Sequence, residues 1–68
     1  MVYLNGNFIP KDKAYIPVMD RGFLFGDGIY EVFPVYDNTV IGLEPHLNRL
    51  QDGLDAINIE NPHSKDEW

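Results

Sequence analysis

The 68-residue sequence contains no cysteine, and its two histidines, His46 and His63, lack the spacing of a metal site. A chain of this size hides only about 60% of the surface that its unfolded form exposes, so small domains often need disulfides, a metal or a partner. This sequence offers no disulfide and predicts no metal site. We therefore expect the fold to be completed by a partner chain or by further polypeptide, that is, by dimerisation or because the chain is truncated.

Basic residues and long apolar runs are also scarce. Eleven acidic residues against five basic ones give a formal net charge of −6 at pH 7, which opposes binding to phosphate backbones and to anionic lipid. No apolar run approaches the roughly 20 residues that cross a bilayer, and the N-terminus lacks the features of a signal peptide. The sequence therefore predicts a cytoplasmic protein that binds neither nucleic acid nor membrane.

Two segments have the composition of β-hairpins. In "VYLNGNFIP", Asn5 and Gly6 suit the positive φ angles of a type I′ turn between two short strands. Residues 29–36 are rich in β-branched and aromatic side chains, and "TVIGL" follows them after Asp37 and Asn38. We predict a strand over 29–36 and a second hairpin. Both faces of this strand are mostly apolar, so we expect a helix on one face and another layer on the other.

A helix is predicted after the second hairpin, where Pro45 suits the first helical position. The apolar residues that recur there with a period of 3.6 are Leu47, Leu50, Leu54 and Ile57. Gly53 lies among them and indicates either close approach of another group or a tolerated weakness. Further on, "SKDE" has the form of a capping box, which predicts that a second helix begins after Ser64. The predicted fold class is α/β (α+β), with antiparallel hairpins packed on an amphipathic helix.

The stretch "DRGFLFGDGIYEV", residues 20–32, has two possible interpretations. Glycine turns can cradle a phosphate with their N–H groups. Here, however, no P-loop lysine follows, the segment leads into a predicted strand, and Asp27 would repel an anion. The residues alone favour a structural bend that places Phe23 and Phe25 in the core, with Asp20 and Asp27 bound to backbone amides.

Three more side chains have both a structural and a functional interpretation. Tyr30 is either a buried tyrosine held by one hydrogen bond or a phenol beside a pocket. Glu31 suits general acid–base chemistry, but pairing with Arg21 or a lysine explains it at least as well. Arg49 either forms a surface ion pair with Asp52, which the residues alone favour, or clamps an anion through two parallel hydrogen bonds.

Taken together, "DRGFLFGDGIYEV" and the later "HLNRL" closely resemble the N-terminal segment of the fold-type IV, pyridoxal-phosphate-dependent aminotransferases. The similarity extends from the opening "YLNG" to the final "KDEW" and so covers nearly the whole chain. Within this family, the "DRG", "FGDG-YEV" and "PHSKDEW" pieces look most like the D-amino-acid aminotransferases. The branched-chain aminotransferases and the aminodeoxychorismate lyases are poorer matches to these pieces.

The resemblance implies that residues 1–68 form the small N-terminal domain of a D-amino-acid aminotransferase-like fold, with the large cofactor-binding domain absent. It implies a homodimer whose substrates are amino acids and 2-oxo acids. It also implies that Arg49 binds the phosphate of pyridoxal 5′-phosphate, and that Tyr30 and Val32 line the substrate pocket, where the phenol helps to hold the substrate carboxylate.

The resemblance also implies that the family's Schiff-base lysine is missing, because Lys11, Lys13 and Lys65 do not match its position. We therefore assign no catalytic residue and expect the chain alone to be inactive. The predicted function is the N-terminal fragment of an aminotransferase that moves an amino group from a D-amino acid to a 2-oxo acid. The alternatives are a non-catalytic module that dimerises or binds a partner, and a fragment of a branched-chain aminotransferase or an aminodeoxychorismate lyase.

Overall fold

The computed structural model describes all 68 residues and contains two β-hairpins followed by a 14-residue helix. Its elements, in chain order, are strand β1 (Val2–Leu4), strand β2 (Asn7–Ile9), a 3-10 turn (Lys11–Lys13), helix α1 (Arg21–Phe25), strand β3 (Val35–Tyr36), strand β4 (Thr39–Val40) and helix α2 (Leu43–Ala56). Each hairpin is a separate two-stranded antiparallel sheet. The predicted mixture of hairpins and one amphipathic helix is therefore confirmed.

Both hairpins close on two residues with positive φ. The φ angles are 50° at Asn5 and 88° at Gly6 in the first turn, and 51° at Asp37 and 59° at Asn38 in the second. Asn, Asp and Gly tolerate this left-handed region better than other residues, and a type I′ turn needs it at both central positions. The turn residues therefore determine where each hairpin folds back, as predicted.

The strand predicted over 29–36 is wrong for most of its length, because only Val35–Tyr36 forms β3. The Ile41 N–H donates to the Pro34 carbonyl at 2.8 Å, but Pro34 has no N–H to continue the ladder. After β4, the paired strand, Gly42 has a φ of 67° and is the N-cap of α2, which begins at Leu43. No strand is left to pair with residues 29–33, and they run as an unpaired connecting segment.

Helix α2 is confirmed, and it begins two residues before the position predicted from Pro45. Pro45 lies in the first turn, where backbone N–H groups have no helical partner and a missing N–H costs nothing. Of the four residues in the predicted stripe, Leu47 and Leu54 are buried, Leu50 is half-buried, and Ile57 lies just past the helix end.

The connecting segment packs along α2 with alternating burial. The half-buried residues are Ile29, Glu31 and Phe33, and the exposed residues between them are Tyr30 and Val32. At one end, a Cβ added to Gly53 would lie 3.2 Å from Cγ2 of Ile29. At the other end, the rings of Phe33 and His46 have centroids 5.3 Å apart. The segment therefore runs antiparallel to α2, and the close approach predicted at Gly53 is confirmed.

The predicted bend within residues 20–32 is a short helix instead. Asp20 caps α1 by accepting a hydrogen bond from the Gly22 N–H at 2.9 Å, and Gly26, with a φ of 71°, ends the helix in the left-handed region. Phe23 and Phe25 are exposed, so their predicted place in the core is wrong. No other part of the chain covers this five-residue helix.

Asp27 also differs from its predicted role. Its carboxylate accepts a hydrogen bond from Nε of Arg21 at 2.6 Å instead of from a backbone amide. The Arg21 guanidinium lies 4.6 Å from the centre of the Phe25 ring. The two contacts hold Arg21 at α1, away from Glu31.

The predicted capping box near the C-terminus is confirmed. The Ser64 N–H donates to Oε1 of Glu67 at 2.9 Å, and the Glu67 N–H donates to Oγ of Ser64 at 3.2 Å. The Trp68 N–H donates to the Ser64 carbonyl at 3.1 Å, which completes one helical turn. Lys65 ties this turn to α2 through Glu44 at 2.9 Å.

The chain is flat and open, with extents of 36 × 31 × 17 Å and a radius of gyration of 13.6 Å. Its accessible surface is 5980 Å², whereas a compact chain of this mass exposes about 4400 Å² and has a radius of gyration of about 11 Å. Much of the excess is apolar, because the exposed residues include most of the aromatic side chains. No helix is both long enough and apolar enough to cross a membrane.

Candidate functional site

Tyr30 and Arg49 line one open hollow, which forms where the connecting segment lies against α2. Its volume is about 470 Å³, within the range of small-molecule sites. The residues that line it are Gly28, Ile29, Tyr30, Glu31, Arg49 and Gly53. A Cβ added at Gly28 would have no atom within 4 Å, so this glycine leaves open space at the hollow, whereas Gly53 packs against Ile29. The structure thus places Tyr30 and Arg49, the two residues that sequence analysis singled out, in the lining of one hollow.

Arg49 pairs with Glu31 across this hollow. Its Nε donates to Oε1 of Glu31, and its Nη2 donates to Oε2 at 3.0 Å, so the two groups meet through parallel hydrogen bonds. The predicted surface pair between Arg49 and Asp52 is therefore wrong. The suggested pairing of Glu31 with Arg21 or a lysine is also wrong, because Glu31 lies on the inner side of the segment, where α2 supplies its partners.

The Glu31 carboxylate is buried between the segment and α2. Its side chain is 4% exposed, whereas the Arg49 side chain is 71% exposed. The hydrogen bonds from Arg49 and then His46 lower the pKa of Glu31 from its ordinary 4.5 to about 2, against the opposing effect of burial. The same pairing raises the pKa of Arg49. Both groups are charged at neutral pH.

His46 is a second partner of Glu31 that sequence analysis did not identify. Its Nδ1 lies 2.9 Å from Oε2 of Glu31. Because an ionised carboxylate only accepts hydrogen bonds, Nδ1 must carry the proton. The ring is confined by Phe33 on one side and by Gly42 on the other, where an added Cβ would be 3.4 Å from Cδ2. One signal was present in the sequence: His46 precedes Arg49 by one helical turn and so shares its face.

The Arg49 guanidinium keeps most of its donors while bound to Glu31. A guanidinium has five N–H groups, and the two hydrogen bonds to Glu31 use two of them. Three N–H groups remain for another acceptor on an exposed side chain that borders the hollow. The arrangement can therefore bind an anionic group without breaking the pair.

Tyr30 and Val32 occupy different places relative to the hollow. Tyr30 is 86% exposed and its hydroxyl makes no hydrogen bond, so the interpretation as a buried, anchored tyrosine is wrong. Val32 is also exposed, but it does not line the hollow. Of these two residues, only Tyr30 lines the hollow together with Arg49.

The three lysines lie outside the hollow. Lys11 and Lys13 are on the exposed 3-10 turn, and Nζ of Lys65 is bound to Glu44 and to Asn48, each at 2.9 Å. No amine nucleophile faces Arg49 or Tyr30. The residues present can bind and orient a ligand, but they include no amine able to react with it.

Comparison with known proteins identifies the family of the chain. Residues 28–68, more than half of the chain, match the family described as amino-transferase class IV. The chain is 39% identical over 66 residues to a putative branched-chain-amino-acid aminotransferase of Methanocaldococcus jannaschii. It is 36% identical over 67 residues to an aminodeoxychorismate lyase of Bacillus subtilis, and 33% identical over 66 residues to a D-alanine aminotransferase of Listeria monocytogenes.

The three alignments cover 97–98% of this chain and 23% of each relative. The chain therefore spans about a quarter of the length of the curated relatives that it matches. Identities of 33–39% do not separate the three named activities. They agree with the family match, and full-length members of this family use pyridoxal 5′-phosphate. The chain belongs to the class IV aminotransferase family.

Proposed function

We propose that residues 1–68 form the small N-terminal domain of a pyridoxal-phosphate-dependent class IV aminotransferase. In the complete protein, this domain supplies one phosphate ligand and one wall of the substrate pocket. The observation that carries the proposal is that Arg49 and Tyr30, 19 residues apart in the sequence, line one hollow. Family membership gives the hollow its chemical context.

Arg49 fits the phosphate of the cofactor. Its three remaining N–H groups are exposed at the hollow, and a guanidinium matches a phosphate through paired hydrogen bonds. The cofactor, once bound, supplies the aldehyde and the electron-withdrawing ring that amino transfer requires. In our proposal, the chain's own contribution is to hold the phosphate end, and the reacting amine comes from polypeptide outside these residues.

Tyr30 fits the substrate side of the same pocket. Its free hydroxyl can donate a hydrogen bond to the substrate carboxylate. Because Tyr30 and Arg49 line the same hollow, this hydrogen bond would hold the carboxylate near the cofactor. We assign Val32 a part in the same pocket because it lies on the exposed side of the segment, as Tyr30 does. Apolar contact from Val32 would help to select the substrate side chain.

We propose D-amino acids and 2-oxo acids as substrates. The support is the resemblance of the "FGDG-YEV" and "PHSKDEW" pieces to the D-amino-acid aminotransferases. The second candidate is a branched-chain aminotransferase, which is favoured by 39% identity to the Methanocaldococcus jannaschii relative. Assays of the complete protein with D-alanine, L-leucine and aminodeoxychorismate distinguish these activities. Amino transfer from D-alanine is the result that we expect, and activity on L-leucine alone would favour the second candidate.

The exposed apolar surface supports a larger assembly. The chain exposes about 1600 Å² more than a compact protein of its mass, which is about twice the roughly 800 Å² that one partner buries in a standard protein interface. We propose that the remaining polypeptide and the second subunit of a homodimer cover it. The rival interpretation is a non-catalytic module that dimerises by itself. A stable dimer of the 68-residue chain in sedimentation, without binding of pyridoxal 5′-phosphate, would favour this rival.

Replacement of Arg49 tests the proposed phosphate contact. In the complete protein, Arg49→Ala should weaken the affinity for pyridoxal 5′-phosphate by roughly tenfold or more, because it removes charge-assisted hydrogen bonds. The affinity for pyridoxal, which lacks the phosphate, should change little. Arg21→Ala is the matched control, since Arg21 is 70% exposed and pairs with Asp27 outside the hollow. An equal loss for both ligands, or an equal loss in the control, would contradict the assignment.

A further inference from the structure

We propose that Glu31 and His46 are positioning residues, which fix the Arg49 guanidinium so that its free N–H groups face a phosphate in a defined geometry. The inference rests on the proposed phosphate role of Arg49 and extends it to two residues that do not themselves contact the phosphate. The observation behind it is that Glu31 of the connecting segment accepts hydrogen bonds from both His46 and Arg49 of α2.

Arg49 needs such support because of its exposure. Its side chain is long, rotatable and 71% exposed, so packing alone does not fix the guanidinium. The contact that does fix it is Glu31, whose carboxylate is buried and meets Nε and Nη2 side-on. An anchored partner of this kind removes rotamer freedom before the ligand binds, which is the origin of affinity gained by preorganisation.

Glu31 is held from both directions. Along the segment it stands between Ile29 and Phe33, which are half-buried against α2. Its Oε2 also accepts from Nδ1 of His46 at 2.9 Å. The His46 ring is confined in turn by Phe33 and Gly42, so the carboxylate is held by its own segment and by one fixed side-chain partner.

Positioning and simple electrostatics give opposite expectations at this site. The Glu31 charge offsets that of Arg49, so Coulomb attraction alone predicts that removing the carboxylate charge would tighten phosphate binding. Positioning predicts weaker binding. In Glu31→Gln, the amide offers one acceptor oxygen and one donor NH₂, and it cannot accept from both Nε and Nη2 of Arg49 while also accepting from His46.

The test measures the affinity of the complete protein for pyridoxal 5′-phosphate and for pyridoxal by absorbance titration. We expect Glu31→Gln to weaken binding of the phosphate form roughly tenfold, the scale found for partners that orient metal ligands, and to leave pyridoxal within about twofold of wild type. Glu44→Gln is the matched control, because it also removes one negative charge. Glu44 lies on α2, where it pairs with Lys65 outside the hollow. Its affinities should be unchanged.

A double-mutant cycle separates positioning from direct contact and from general structural damage. In an Arg49→Ala background, Glu31→Gln should change the affinity less than twofold, because Glu31 acts through Arg49. Equal losses in both backgrounds would overturn the positioning role, as would tighter or unchanged binding in Glu31→Gln alone. If Arg49→Ala itself has no effect, the proposed phosphate contact fails, and that outcome is distinct from a failure of Glu31.

Glu31→Asp keeps the proposal testable if Glu31→Gln does not fold. This variant retains the charge and shortens the side chain by one methylene, so electrostatics predicts no change in affinity. Positioning predicts weaker binding of pyridoxal 5′-phosphate with unchanged binding of pyridoxal. Wild-type affinity for the phosphate form in Glu31→Asp would overturn the proposal.

Discussion

The contact between Gly53 and Ile29 gives a quantitative test of how the connecting segment packs on α2. Glycine inside a helix costs about 1 kcal/mol relative to alanine, so Gly53→Ala would be stabilising if nothing stood nearby. In the structure, the added Cβ would lie 3.2 Å from Cγ2 and 3.5 Å from Cβ of Ile29. The distance to Cγ2 is shorter than an ordinary van der Waals contact, and the distance to Cβ is within the ordinary range.

The magnitude follows from these two distances. Overpacking of a well-packed contact costs about 1–3 kcal/mol, which cancels or exceeds the gain in helix propensity. Gly53→Ala alone should therefore destabilise α2 by between about 0 and 2 kcal/mol. In an Ile29→Ala background Cγ2 is gone, and Gly53→Ala should stabilise α2 by about 1 kcal/mol. The coupling between the two positions is then about 1–3 kcal/mol.

Amide hydrogen exchange of α2 in the complete protein measures the opening free energy of that helix. The four proteins of the cycle are wild type, Gly53→Ala, Ile29→Ala and the double variant. The predicted result is that Gly53→Ala is neutral or destabilising in the wild-type background and stabilising in the Ile29→Ala background. If Gly53→Ala changed the opening free energy equally in both, Ile29 would not lie against Gly53 and the described path of the segment would be wrong.

Three other expectations follow from the same contacts. The lowered pKa of Glu31, about 2 against an ordinary 4.5, means that its contribution to stability is present above pH 4.5 and is lost as the pH falls towards 2. Carboxyl ¹³C titration should show no protonation of Glu31 between pH 7 and 4, and a midpoint near 4.5 would contradict its hydrogen bonds with Arg49 and His46. Ser64→Ala removes one half of the capping box and should destabilise that turn by about 1 kcal/mol. The expected result is faster amide exchange at Glu67, and equal exchange in the variant and the wild type would mean that the box is not formed. Tyr30→Phe in the complete protein should raise the substrate KM and leave cofactor loading intact, and unchanged kinetics would remove the phenol from the pocket.

The parts of the fold that depend on local chemistry were predictable. Asn5-Gly6 and Asp37-Asn38 determine their turns through their own φ preferences, and Ser64 and Glu67 form a capping box from their spacing alone. Helix α1 was predictable in the same way, because Asp20 and Gly26 have the residue types of an N-cap and a helix-ending glycine. The aromatic and glycine content of that stretch obscured this local signal.

The site depended on contacts that local patterns do not determine. Glu31 and Arg49 are 18 residues apart. Their pairing requires both the register of the segment on α2 and a strand β3 that begins only after Pro34. The sequence did contain a clue, since a glutamate between Ile29 and Phe33 on an inward-facing side needs a cation. The cation could be chosen only once α2 had placed His46 and Arg49 on the face that the segment covers.

The most direct test of the account is an experimental structure of the complete protein with pyridoxal 5′-phosphate bound. The account predicts that the phosphate accepts hydrogen bonds from Arg49 at about 2.7–3.2 Å, that Glu31 still holds the other edge of the guanidinium, and that Tyr30 faces the same cavity. A phosphate bound elsewhere, with Arg49 in contact only with Glu31 and solvent, would contradict it.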